Sequence, residues 1–269
     1  MTLSLSSLPL FHVDAFARSP FKGNPAAVCP LDRWLDDGIL RAVAAENNLS
    51  ETAYFVPSGG DFELRWFTPR CEVKLCGHGT LASAFVLFNI LQPGRNSARF
   101  ETRFSGTLGV QRQGEEGRLA MDFPSLVPNV CADAPEKLFR ALGEKPTVVL
   151  EKNNKYIVVY ESEDSIRRLD PDTALLEQLH PYTVAVTAAG SNCDFVSRYF
   201  APSYGVPEDP VTGSSHCALT PYWAERLGRK RLHARQLSER GGELWCELVG
   251  ERVVLEGDAT LTLQGTLTI

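Results

Sequence analysis

Hydrophobic and polar residues alternate along FELRWF (62–67) and DFVSRYF (194–200), the period-two pattern of strands with one buried face. A helical period governs residues 36–46, where Leu35, Ile39, Leu40 and Val43 fall on one side, and a second amphipathic helix is predicted around 172–179. TLASAFVLFNIL (80–91) is interrupted only by Thr80, Ser83 and Asn89, which predicts a helix enclosed on every side. Its twelve residues fall well short of the roughly 20 a membrane span needs, so it reads as a core helix. HCALTPYWAERLG (216–228) predicts a second, less apolar helix in which Pro221 removes a backbone donor and invites a kink. SGTLGVQRQGEEGRLAMDF (105–123) and GGELWCELVGERVVLEGDA (241–259) are β-rich, with glycines at the expected turns.

The pattern occurs twice. Arg65-Trp66-Phe67-Thr68-Pro69 returns 133 residues later as Arg198-Tyr199-Phe200-Ala201-Pro202, and Cys76-Gly77-His78-Gly79 returns 136 later as Thr212-Gly213-Ser214-Ser215. A three-residue insertion between Pro202 and Thr212 accounts for both offsets. The expected fold is α+β, with two pseudo-symmetric lobes, 1–125 and 126–269, meeting near Pro124 to Pro128. Each lobe is expected to wrap a mostly antiparallel, barrel-like sheet around its central helix, and the cleft between lobes is the expected site.

The chain has 269 residues, 43% of them hydrophobic, enough for two such cores. A net charge of -6 with no Lys/Arg-rich run argues against nucleic-acid or anionic-membrane partners and favours a small soluble substrate. Seven cysteines, odd in number and without CxxC spacing, predict free thiols in a reducing, cytoplasmic setting. MTLSLSSLPLFHVDAF lacks a basic leader segment and reaches His12 and Asp14 too early for a signal peptide.

The duplicated Gly-rich turns each precede a helix, and a helix N-terminus presents free N–H groups and positive potential to an anion. Gly77, Gly79, Gly213, Ser214 and Ser215 are therefore candidate substrate-binding positions. Gly77-His78-Gly79-Thr80-Leu81-Ala82 also fits the dinucleotide pattern GxGxxA, with Glu101 downstream for a ribose. Against that, the preceding EVKLC is charged where a buried parallel strand is apolar, and the second copy lacks the second glycine. Metal binding is disfavoured because Cys71, Cys76 and His78 have only His216 and Cys217 to answer them, without ligand spacing. Cys76 at a helix start is a candidate thiolate, although Thr212 in the second copy rules out a symmetric thiol pair. Glu51 aligns with Val184 and has no acidic twin; if buried in the site it is expected to have a raised pKa suited to acid/base work. Asp209 is either a turn former before Pro210 or an acceptor for a substrate amine or hydroxyl.

DAFARSPFKGNPAAV (14–28), NLSETAYFV (48–56), RWFTPRCEVKLCGHGTLA (65–82), SRYFAPSYGVPEDPVTGSSHCAL (197–219) and ARQLSERGGELW (234–245) resemble, in order, the hallmark blocks of the phenazine-biosynthesis PhzF-like family. The resemblance spans nearly the whole chain. It implies a diaminopimelate-epimerase-like fold and an isomerase that needs neither cofactor nor metal, moving a proton between carbons of a dihydro-3-hydroxyanthranilate-type substrate. It also implies a homodimer, a catalytic role for Glu51, His78 and Asp209, and substrate contacts from Asn24 and Ser214. Related epimerases use a cysteine at each helix start, and this chain has Cys76 but Thr212. A thiol-dependent epimerase and a non-catalytic ligand-binding or interaction protein are the alternatives.

Overall fold

The computed structural model describes residues 7–114 and 116–269. The first six residues of the segment read above for a leader lie outside them. Along the chain come strands β1 (Ser7–Ala15) and β2 (Asn24–Pro30), helix α1 (Asp37–Asn47), β3 (Glu51–Ser58), β4 (Asp61–Phe67) and β5 (Glu72–Val73). The central helix α2 (Gly77–Val86) follows, then β6 (Ser97–Thr102), β7 (Gly106–Gln113) and β8 (Arg118–Pro124). Next are β9 (Asn129–Val130), α3 (Glu136–Leu142), β10 (Val148–Glu151), β11 (Lys155–Val159), α4 (Glu163–Arg168) and α5 (Thr173–Glu177). The chain continues through β12 (Thr183–Ala189), β13 (Phe195–Phe200), α6 (Gly213–Leu227), β14 (Arg231–Gln236), β15 (Gly242–Val249), β16 (Arg252–Gly257) and β17 (Ala259–Thr268).

Two compact units result: the chain up to Asp122 together with Glu256–Ile269, and Phe123–Leu255. The expected division assigned everything after 125 to the second lobe. The difference is β17, which pairs antiparallel with β1 from Ser7↔Thr268 to Ala15↔Ala259 and so belongs to the first unit.

The first unit is a mixed sheet. β2 runs parallel to β3, β3 antiparallel to β4, β4 parallel to β6, and β6 antiparallel to β7. Alternation along the strands separates two faces. Ala27, Cys29, Tyr54, Val56 and Phe67 pack with Leu40, Val43 and Ala44 of α1. Residues 26, 28, 51, 53, 64 and 66 take the opposite face, where α2 packs against β1, β2, β3, β7 and β17. Ile39, expected on the buried side of α1, is exposed, and Ala44 fills that place. The apolar run ends in one π-helical turn, Leu87–Leu91, in which Leu87 and Phe88 are buried while Asn89 and Leu91 reach solvent.

The second unit repeats this topology. β11 runs parallel to β12, β12 antiparallel to β13, β13 parallel to β14, and β14 antiparallel to β15. Tyr156, Val158, Val184, Val186, Val196 and Phe200 form a core with Leu138, Ile166 and Leu176 of α3, α4 and α5. Helix α6 packs on β14 and β15 and is joined to β12 by Trp223 Nε1 donating to Thr187 Oγ1 at 2.9 Å. It continues unbroken through Pro221. Of these three covering helices, of seven, six and five residues, only α5 matches a helix expected from the sequence, that around 172–179.

The described residues form no dinucleotide unit around Gly77. The strand before Gly77 is the two-residue β5, which pairs antiparallel with β4 and cannot serve as the parallel strand of a βαβ crossover.

Candidate active site

Glu51 opens β3, and the strand alternation turns its side chain toward α2. There His78 Nε2 lies 3.0 Å from Glu51 Oε2, with both side chains largely buried. Ser50 Oγ stands 3.3 Å from His78 Nε2 and the same distance from Asn24 Oδ1, and it donates to Pro25 O at 3.1 Å. Cys76 caps α2: its Sγ accepts from the Gly79 N–H at 3.2 Å and approaches His78 Nδ1 at 3.6 Å. Asn24, Ser50, Glu51, Cys76 and His78 thus form one cluster.

Charge settles on two of these groups. Burial works to raise the Glu51 pKa, but the neighbouring His78 charge, its hydrogen bond and one from Ser50 bring it below the ordinary carboxylate value. This corrects the expectation of a raised pKa: the imidazole outweighs desolvation. Burial opposes the His78 imidazolium, yet Cys76, when ionised, and the Glu51 carboxylate raise its pKa well above that of a free histidine. Burial dominates at Cys76 and raises its pKa, so the expected thiolate is a protonated thiol at neutral pH. The Glu51–His78 contact is close but poorly directed, and Glu51 Oε2 is buried without a well-formed hydrogen bond.

The glycines divide by role. Gly77 and His78 occupy the first two helical positions, whose N–H groups have no intrahelical acceptor. The Gly79 N–H is spent on Cys76, and a Cβ there would lie 2.9 Å from both Cys76 Sγ and Trp66 Cδ1. Close packing against the Trp66 ring is what requires glycine at 79. Trp66 Nε1 is itself a buried donor without an acceptor.

Glu51, Cys76 and His78 also bring one ligand atom each to within 4.8 Å of one another. Cys71, considered above as a ligand, is exposed and outside this set. Cys76 Sγ lies 3.6 Å from His78 Nδ1 and 3.8 Å from Nε2, and Glu51 Oε2 lies 3.0 Å from Nε2, so Nε2 is the ring nitrogen that the sulfur and the carboxylate share.

In the second unit Asp209 lies before α6, its backbone N–H donating to Tyr199 O at 2.9 Å and its carboxylate Oδ2 accepting from Thr212 Oγ1. Gln236 holds the turn: Oε1 accepts from the Thr212 N–H at 2.9 Å and Nε2 donates to Asp209 O at 2.7 Å. Gly213 and Ser214 have free first-turn positions. The Ser215 N–H and Oγ are both committed to Thr212 O, at 3.2 and 2.9 Å. Ser215 is therefore a cap-strengthening residue and not an open donor. His216 Nδ1 contacts the same carbonyl at 2.8 Å, and burial lowers its pKa to about 4, leaving it neutral.

A sequence profile described as phenazine biosynthesis-like protein, PhzC-PhzF, matches residues 13–265. The chain belongs to the PhzC-PhzF family. An uncharacterized isomerase of Pseudomonas aeruginosa is 55% identical over 260 residues, covering 97% of this chain and 98% of that protein. The crystal structure of a PhzF-family phenazine biosynthesis protein from Enterococcus faecalis superposes with a TM-score of 0.93 at 42% identity, covering 97% of this chain and 99% of its own. A hydroxyproline epimerase from Agrobacterium vitis shares the fold alone, at a TM-score of 0.64 and 11% identity. This PhzC-PhzF chain is thus an α+β member of an isomerase family.

Among its functional candidates, sequence reasoning found Asn24, Glu51, Cys76 and His78 but missed Ser50, Trp66, Lys155 and Gln236. Ser50 stands next to Glu51 and Gln236 lies within a quoted block, so both were within reach of sequence. Trp66 and Lys155 gain their importance only from strand pairing. All seven cysteines are free thiols, as expected. Among the described residues no helix is long and apolar enough to cross a membrane.

Proposed function

We propose that this PhzC-PhzF protein is a cofactor-independent isomerase in which Glu51 alone moves a proton between carbons of a small unsaturated carboxylate. The observation that carries this is a buried carboxylate oxygen, Glu51 Oε2, without a well-directed hydrogen bond and 3.0 Å from His78 Nε2. Pairing with His78 lowers the basicity of that oxygen, so abstraction requires His78 to turn to the developing negative charge and leave Glu51 to take the proton.

The step balances within the substrate and one side chain. Glu51 takes a proton from a carbon next to a carboxylate-conjugated alkene or imine, and the C–H electron pair delocalises into that system. The resulting carboxylic acid returns the proton to another carbon, so no second base and no redox partner is needed. His78 donates toward the developing negative charge, helped by the N–H groups of Gly77 and His78. Asn24 and Ser50 keep the His78 ring oriented. Gly213 and Ser214 receive the substrate carboxylate, and Asp209 accepts from its amine or hydroxyl. A pair of helix-wrapping barrel-like lobes, a homodimer and a cytoplasmic location complete the proposal, the last in keeping with seven free thiols.

Deuterium incorporation into carbon, followed for a panel of cyclic and acyclic amino and hydroxy acids in deuterated water, tests the chemistry. Glu51→Gln is expected to abolish incorporation; full incorporation by that variant sinks the assignment. Thiol-dependent epimerisation is disfavoured by the protonated Cys76 and by Thr212, whose hydroxyl is engaged with Asp209. It would instead show inactivation on Cys76 alkylation. A purely ligand-binding protein would bind members of the panel without any exchange.

A further inference from the structure

Lys155 opens β11 and faces Thr183 across the parallel ladder, the position at which Ala26 faces Glu51 in the first unit. Its side chain is buried, with 8% of the residue exposed. Nζ donates to Ser214 O in the first turn of α6 at 3.1 Å and lies 5.3 Å from the centre of the Tyr199 ring. An ammonium carries three N–H donors. Two have no acceptor among the described residues, and none of the carboxylates there forms an ion pair with Nζ. The carboxylate of Asp209 is engaged by Thr212 instead.

A buried ammonium without an ion pair is costly even with one carbonyl acceptor and Asp209 acting through space, and a cation beside the positive end of a helix is costlier still. One occupant removes both penalties: an anion received by Nζ together with the free first-turn N–H groups of Gly213 and Ser214. We infer that Lys155 is a specificity-determining residue that holds an anionic carboxylate at the start of α6 and discriminates against neutral isosteres. The inference takes from the proposed function only that the substrate is a carboxylate.

The surrounding groups agree with a cation at neutral pH. Burial draws the Lys155 pKa down to about 8, against the opposing effects of Cys217 and Asp209. Of the neighbours, Cys217 is raised to about 11 and Tyr199 to about 12 by burial, and His216 is lowered to about 4, so all three are uncharged near pH 7. Carboxylate affinity is therefore complete below the pKa of Lys155 and falls as pH rises through it.

The test compares 2-aminobenzoate with 2-aminobenzamide, its neutral isostere, by calorimetric titration of the full chain. The wild type is expected to prefer the carboxylate by about tenfold or more. Lys155→Met should remove that preference and its decline above pH ~8, and Lys155→Arg should retain part of it. Carbon-13 and nitrogen-15 correlation spectra of labelled lysine in the wild type give a second readout that needs no variant: 2-aminobenzoate should raise the pKa of Lys155 and 2-aminobenzamide should not. An unchanged preference in a folded Lys155→Met variant, no preference in the wild type, or an unmoved Lys155 titration overturns the inference. Glu51→Gln should keep the preference while losing C–H exchange. Should that variant keep exchange, the isomerase assignment falls while the role of Lys155 stands.

Discussion

Where α2 begins, Glu51, Cys76 and His78 meet beneath a helix that packs on Trp66; where α6 begins, the matching positions are Thr183, Thr212 and Ser214, with Tyr199 in place of Trp66. The scaffolds are alike down to one fork. Arg65 binds Glu72 through Nε and Nη2 at 2.7 and 2.8 Å, and Arg198 binds Glu208 through the same atoms at 2.7 and 2.9 Å. Each fork ties a strand to the loop that delivers a helix start. Few side chains make the difference: Glu51 and His78 are paired at the first start, whereas at the second Lys155 is buried without an ion pair and the Asp209 carboxylate is held by Thr212. The duplication repeats the scaffold, and a handful of differing side chains sets the charged groups at each helix start.

The largest expected effect comes from removing what only the first half has. Glu51→Gln should slow carbon-bound deuterium exchange by about a thousandfold with the fold intact by circular dichroism. Thr183→Gln, at the matching position, should change the rate severalfold at most; equal losses at both positions would break the asymmetry.

What the halves share should cost stability in both. Arg198→Ala, which strands Glu208 and releases the carbonyls of Ile166 and Leu169, is expected to lose about 3 kcal/mol in urea unfolding. Arg65→Ala should lose a comparable amount, and a negligible change in either would show that the forks are incidental.

Smaller effects separate the two caps. Gly79→Ala places a methyl against Trp66 and Cys76 and should cost about 1–2 kcal/mol, whereas Ser215→Ala in the second cap should cost under about 1 kcal/mol. Cys76→Ala should alter exchange by less than about tenfold, since burial raises the thiol's pKa and its hydrogen bond from the Gly79 N–H is a capping contact. A loss as large as that of Glu51→Gln would restore a catalytic thiol.

The pH profile is the finest test. Glu51 has a depressed pKa, so its ion pair is intact above the ordinary carboxylate value of about 4.3 and is lost as pH falls through the lower folded value. His78 has a raised pKa, so its contribution is complete below about 6.5 and is lost as pH rises through the higher folded value. Exchange rates should be flat between those limits, whereas the unfolding free energy should fall as pH drops from about 6.5 toward 4, because the buried His216 is held neutral with its pKa lowered to about 4. An acid limb of exchange near pH 6 would mean that Glu51 is not paired with His78 as described.

By itself the sequence determined the duplication, the central helices, the strands flanking them and Glu51 as the unpaired acid, because periodicity and repeated Gly-rich turns are local signals. It assigned the last strand to the wrong unit, since β1 and β17 pair across nearly the whole chain and no local pattern encodes a partner. It matched Glu51 to Val184, where the ladders match it to Thr183 through Ala26 and Lys155, a one-residue shift that sequence offsets do not resolve. The protonation of the site was likewise settled in three dimensions. Burial alone would have raised the Glu51 pKa, and only the fold sets an imidazole 3.0 Å away to reverse it. A side chain's charge depends on what surrounds it, and those surroundings come from residues far apart in the chain.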